Sequence, residues 1–245
     1  MSASIDVHRR KKVLMIAANP GTSPVTGWPV GFWWAELTHP FWTFTEAGYE
    51  VEIVSPRGGD LVADGFSDPE DTSGYSAHDL ISLGFKISPT HAALLKGTKS
   101  IEGLDPTAFD AIFVAGGQAP MVMMIDDTAL HAFVARAYEA GRVLAVVCHG
   151  TCILLKARLS SGDLLVKGKT WTGFANSEEA YADAWVGQKI QPFWIEDEAK
   201  KIDGTNFVVN AMFKPFALRD GNLITGQQQF SGAAAAELVV QTLGR

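Results

Sequence analysis

The feature that most constrains this chain is a set of short, wholly apolar runs that stop at glycine or proline and alternate with amphipathic stretches. "KVLMIAAN" (12–19) ends at Asn19-Pro20-Gly21, "DAIFVAGGQAP" (110–120) runs into Gly116-Gly117, and "VLAVVCHG" (143–150) ends at Gly150. Runs of this length without a polar face read as strands buried on both sides. Between them, "DTALHAFVARAYEAGR" (127–142) has apolar residues at helical spacing and stops at Gly141. "GFWWAELTHPFWTFTEAG" (31–48) is also helical in character, and Pro40 is expected to kink it or to begin a new segment. The alternation predicts an α/β fold: a flavodoxin-like sandwich with a mostly parallel central sheet and helices on both faces.

The rest of the chain fits that frame. "YEVEIVSPRGG" (49–59) reads as a strand, "TCILLKA" (151–157) as the helix after Gly150, and "KTWTGF" (169–174) as a short strand. "NSEEAYADAW" (176–185) reads as a helix capped by Asn176 or Ser177, and "SGAAAAELVVQTL" (231–243) as a closing helix capped by Ser231. "NFVVN" (206–210) and "NLITG" (222–226) are late strands. Residues 60–90, rich in Asp, Ser, Gly and Pro, read as a long surface excursion with short helices and are expected to form part of a lid. No repeat or linker interrupts the pattern, so residues 1–245 read as one domain.

Charge narrows the function. A net charge of −7 argues against nucleic acid and against anionic membrane surfaces as partners. No run approaches the roughly 18 apolar residues of a membrane span. "MSASIDVHRRKK" lacks the apolar core and cleavage pattern of a signal peptide. Cys148 and Cys152, four residues apart on one expected helical turn, do not suit a disulfide. A cytoplasmic location is therefore expected.

Parallel sheets place their sites outside the carboxyl ends of the strands, which is where Cys148 falls. Gly150 permits a tight strand-to-helix turn resembling a nucleophile elbow, although Val146 occupies the place of the elbow's first glycine. A thiol at the start of the next helix is expected to have a lowered pKa. The same pattern also suits a buried structural cysteine. The amides of Gly116 and Gly117, with the N–H of His149, suit an oxyanion site, or the glycine pair is an ordinary turn. Glu36, among tryptophans, is either an inward, desolvated carboxyl able to act as acid or base, or a solvated outer-face residue. Cys152 reads as a redox partner or as a core residue, and "MVMM" (121–124) as sheet-edge packing or an adaptable surface for clients. His39, His78, His91 and His131 show no paired spacing, so no metal site is expected, and no P-loop is present.

Taken together, "AVVCHG" resembles the nucleophile segment of the ThiJ/PfpI superfamily, whose sheet is of the class I glutamine-amidotransferase type. "TGWPVGFWWAELTHPFWTFTEAGYEVEIVSPRGG" (26–59) resembles the N-terminal motif of its chaperone and glyoxalase III branch. "FVAGGQAP", "KTWTGFANSEEA" and "DGNLITGQQQFSG" (220–232) fall at the expected distances. The resemblance implies Cys148 as nucleophile, Glu36 as the acid on its sulfur and His149 as its neighbouring histidine. It implies Glu179, or alternatively Glu178, as the acid orienting His149, and Gly117 with the His149 amide as oxyanion donors. It further implies a homodimer that converts methylglyoxal to lactate without glutathione, metal or other cofactor.

Departures from the family pattern concern the substrate. Gln118-Ala119 stands where glyoxalase-type members often carry histidine then glycine, and Thr151 stands where many carry proline. Gln118 still suits a hydrogen bond to a substrate carbonyl. Trp28, Phe32, Trp33 and Trp34 are expected to line the approach and make it more apolar than methylglyoxal needs. Three functions stand open: a glyoxalase III-type enzyme for small reactive carbonyls, another cysteine-nucleophile hydrolase, amidase or hydratase, and a stress-response holdase chaperone in which Cys148 senses oxidation.

Overall fold

The computed structural model describes residues 9–244; most of the N-terminal stretch considered above for a signal peptide lies outside them. The chain folds around one large sheet. Its strands are β1 (Lys12–Ile16), β2 (Glu50–Ser55), β3 (Arg57–Gly59), β4 (Thr98–Ser100), β5 (Ala111–Val114), β6 (Val143–Val147), β7 (Ala217–Asp220) and β8 (Leu223–Gly226). Their spatial order is β7-β8-β6-β5-β1-β2-β4-β3. Pairing is parallel from β8 through to β4, and the edge strands β7 and β3 are antiparallel.

The central strands are those whose sequence carries no polar face. Every residue of β5 and β6 is buried. Helices α1 (Trp34–Glu46), α2 (Leu80–Ile87), α3 (Thr128–Glu139), α4 (Asn176–Val186) and α5 (Gly232–Leu243) surround the sheet. α1 and α5 pack side by side, and α3 lies against β5 and β6. This is the expected α/β architecture with a mostly parallel sheet. Pro40 does not break α1, which runs through it as one helix.

Several local expectations change. The stretch after Cys148 is a 3-10 turn over Cys148–Leu155 rather than an α-helix. The N-cap of α4 is Ala175, not Asn176 or Ser177, and the Glu178 side chain accepts the Ala175 N–H at 3.1 Å. Ser231 stands at the N-cap of α5 without capping it; its Oγ accepts the N–H groups of Phe216 and Gln228, both at 3.2 Å. Of 206–210, only Asn206–Phe207 is extended, in a small separate pairing with Thr170–Trp171. The short strands β3, β4 and β7 have too few residues for a periodic signal. Among the described residues, no helix is long and apolar enough to cross a membrane.

Candidate active site

The carboxyl ends of β1, β5, β6 and β8 converge on one place, and Cys148 begins the first residue beyond β6. Its backbone φ is +55°, a left-handed conformation that costs a non-glycine residue on the order of 1–2 kcal/mol. The turn is held from both sides. Thr151 Oγ1 donates to the Cys148 carbonyl at 2.6 Å. A Cβ at Gly150 would come within 2.9 Å of the Ala115 carbonyl oxygen, so glycine is what lets the elbow press against β5. Thr151, where proline was the family expectation, thus supplies a hydrogen bond proline lacks.

Cys148 is only 3% exposed, and Glu36 is fully buried beside it. The face of α1 that carries Glu36 therefore points inward. Burial pushes the Glu36 carboxyl up to about 8, against the opposing pull of the Cys148 thiol and the Gly116 N–H. Glu36 Oε2 accepts that N–H at 2.7 Å, while Oε1 has no well-aligned hydrogen bond. This corrects the expectation for Gly116: its amide is already occupied and does not serve an oxyanion. Glycine is nevertheless required, since a Cβ at Gly116 would lie 2.3 Å from Glu36 Oε2.

The thiol also departs from expectation. Its pKa is raised rather than lowered, first by burial and then by the neighbouring Glu36, and the His149 N–H offsets only part of this. A 3-10 turn also supplies less of the aligned dipole that an α-helix would.

His149 Nδ1 lies 3.6 Å from Cys148 Sγ. His149 Nε2 meets Glu179 Oε1 at 2.9 Å. A carboxylate accepts only, so Nε2 carries the proton and Nδ1 presents its lone pair to the thiol. Phe174 stacks on the imidazole at 4.2 Å and fixes its plane. The neighbouring Glu178 points elsewhere. It accepts the Phe213 N–H and the Gln227 side-chain amide, both at 2.9 Å, and so ties the 210–216 loop to α4.

The Gly117 N–H is free of protein acceptors among the described residues, and Gly117 adopts φ +107°, with its Cα packed onto the Gly31–Trp33 backbone. The N–H of the next residue, Gln118, is held by Asp64 Oδ2 at 2.6 Å. Asp64, which sequence reasoning missed, also accepts the Gly31 N–H at 2.8 Å. It is fully buried, and burial raises its pKa to about 7. No local pattern marks it, because its partners are 33 and 54 residues away.

A cavity of about 80 Å³ opens over these groups, with Cys148, His149, Glu36, Glu179 and Gln118 in its wall. Of the four aromatics expected along the approach, Trp33 lines the cavity. Phe32 and Trp34 are buried in the core, and Trp28 packs edge-on against Phe66. Cys152 is buried too, with its thiol donating to the Pro120 carbonyl at 3.4 Å. Within the described residues no cluster of His, Cys, Asp and Glu is arranged to hold a metal.

A buried elbow cysteine at the tip of a mostly parallel α/β sheet places the chain among DJ-1-like folds. The DJ-1/PfpI family pattern matches residues 30–241, and the chain belongs to that family. Glyoxalase 3 of Candida albicans is 26% identical over 94% of this chain and 97% of its own length. The crystal structure of glyoxalase III from that organism superposes with a TM-score of 0.77, covering 96% of this chain and 98% of that one. A probable glutathione-independent glyoxalase of Schizosaccharomyces pombe is 28% identical over 87% of this chain and 90% of its own. The Rapid Encystment Protein of Francisella tularensis shares the fold at a TM-score of 0.84 and 24% identity, covering 96% of this chain and all of that one.

Proposed function

We propose that this chain is a glutathione-independent glyoxalase that isomerises small 2-oxoaldehydes to 2-hydroxy acids, with Cys148 as nucleophile. The observation that carries the reading is the placement of one buried sulfur between two different proton carriers, Glu36 and the His149–Glu179 pair. The curated relatives that share most of the chain are named as glyoxalases.

The reaction follows from that arrangement. As the aldehyde carbon approaches, Cys148 Sγ adds to it and its proton passes to His149 Nδ1, with Glu179 holding the charged imidazole. The developing alkoxide is met by the N–H groups of Gly117 and His149. His149 returns the proton to give a neutral hemithioacetal. The neutral imidazole then takes the proton from C1 and passes it to the C2 oxygen, forming an enediol. Transfer of the C1 hydroxyl proton to C2 yields a thioester of the 2-hydroxy acid. Water hydrolyses it, releasing the acid and restoring the thiol. Glu36, protonated near neutral pH, donates to the sulfur whenever it carries negative charge.

The test is lactate release from methylglyoxal without added thiol. Wild type turns over, Cys148→Ala does not, and Glu36→Gln is slowed by roughly 10–100-fold. No turnover in wild type, with Cys148 still alkylated by iodoacetamide, would retain the nucleophile and transfer the reading to a hydrolase or amidase.

A further inference from the structure

The cavity over Cys148 has two chemically different ends. Its floor is polar and includes Gln118, whose Oε1 is buried with no hydrogen-bond partner. Its other end is built from rings: Trp33, Phe66, Tyr75, Tyr181 and Trp185. Trp185 lies 5.3 Å from Phe66 and 5.5 Å from Tyr75, and Tyr75 stands edge-on to Trp33 at 6.0 Å. The 60–90 segment and α4 thus meet over the cavity through aromatic faces. The Gln229 side-chain amide donates to the Tyr75 hydroxyl at 3.1 Å, which fixes that ring.

These rings are not used up by the core. Trp185 is 51% exposed and Tyr181 48% exposed. Among the described residues no lysine or arginine lines the cavity, so its aromatic end offers no cation to an anionic substituent. A methyl group on the substrate would leave most of this aromatic surface in water. A flat apolar group would cover it and stack on it.

Resting on the glyoxalase reading, we propose that the site takes 2-oxoaldehydes bearing an aryl or bulky apolar group in preference to methylglyoxal, with that group seated between Trp185, Tyr75 and Phe66. The dicarbonyl end remains at the floor, beside Cys148 and Gln118. The bonds made and broken are those of the reaction above, so no further reactant is needed. Trp185 is a specificity-determining residue and takes no part in proton transfer.

Two measurements test this, one needing turnover and one not. The first compares kcat/KM for phenylglyoxal and methylglyoxal in wild type, Trp185→Ala and Trp185→Phe. The second compares alkylation of Cys148 by 2-bromoacetophenone and bromoacetone, each normalised to its rate with free cysteine. Wild type favours the phenyl compound about tenfold in both, Trp185→Ala loses most of that preference, and Trp185→Phe recovers most of it. Equal normalised alkylation rates in wild type, or a preference unchanged in Trp185→Ala, would overturn the aromatic subsite. A phenyl preference in alkylation with neither aldehyde turned over would sustain the subsite and overturn the glyoxalase reading. Turnover of methylglyoxal without a phenyl preference would do the reverse.

Discussion

Asp64 Oδ2 accepts the Gln118 N–H at 2.6 Å, and its other oxygen accepts the Gly31 N–H. One buried carboxyl group thereby pins the loop that carries Gly117 to the segment before α1. The Gly117 N–H points where it does because the peptide on its far side cannot rotate. Asp64→Asn replaces one acceptor oxygen with an NH₂ that faces a donor. We expect a loss of on the order of 1–3 kcal/mol in urea unfolding and a kcat lowered more than KM is changed. Rescue by Asp64→Glu is not expected, because the longer chain does not fit the same two amides. Unaltered kcat in a folded Asp64→Asn protein would remove Asp64 from any positioning role.

The Glu36 carboxyl, raised to about 8 by burial, predicts the alkaline limb of the rate profile. In its protonated form Glu36 donates to sulfur, so kcat falls as pH rises through about 8. Glu36→Gln keeps an N–H donor toward sulfur and has no proton to lose, so its slower rate is flat across this range. A wild-type rate that instead climbs through pH 8 would make Glu36 the base.

The same burial has a stability consequence whose sign is fixed. Glu36 and Asp64 hold their protons in the folded state up to about 8 and about 7, against ordinary values of 4.5 and 3.8. Between those limits the unfolded chain releases protons that the folded chain retains, so stability falls with rising pH. Each group contributes up to about 1.4 kcal/mol per pH unit within its window. Urea midpoints should therefore drop from pH 5 to pH 8, and less steeply in Glu36→Gln. Parallel curves for the two proteins would contradict the protonated Glu36.

Consecutive acids on α4 separate cleanly. Glu179→Gln leaves His149 without its anionic partner and lowers kcat by on the order of 100-fold or more at nearly unchanged Tm. Glu178→Ala instead strands the N–H groups of Ala175 and Phe213 and the Gln227 amide, costing on the order of 3 kcal/mol. Thermal unfolding beside lactate release distinguishes the two.

Gly116→Ala places a methyl 2.3 Å from Glu36 Oε2 and 2.8 Å from Cys148 Cβ. Overpacking of this kind costs about 1–3 kcal/mol and forces the carboxyl off the sulfur. We expect turnover to collapse while far-UV circular dichroism is retained. A fully active variant would show that the Glu36 contact is dispensable.

Much of the fold was legible because β1, β5 and β6 have no polar face, and only the middle of a parallel sheet accepts such strands. Cys148 was legible for the same reason: it ends β6. Glu36 was not orientable, since Trp34 to Thr38, more than a full turn at the start of α1, are all buried and leave no polar stripe there to read. Glu178 and Glu179 are separated by one helical step, about 100°, which only packing resolves. Asp64 and the rings of Phe66, Tyr75 and Trp185 reach the site from a segment without periodicity and from the exposed side of a helix. Their roles arise from long-range contact alone.

The resting state of Cys148 also bears on how long the protein lasts. Peroxides and other oxidants attack thiolates, and they find here a sulfur only 3% open to solvent, in surroundings whose burial disfavours the anion. On the proposed mechanism the anion forms only as a carbonyl draws the proton toward His149, when substrate fills the space an oxidant would need. The burial that holds back the idle sulfur as a nucleophile thus also shields it, and on that mechanism its exposure to damage is tied to turnovers completed rather than to hours in solution.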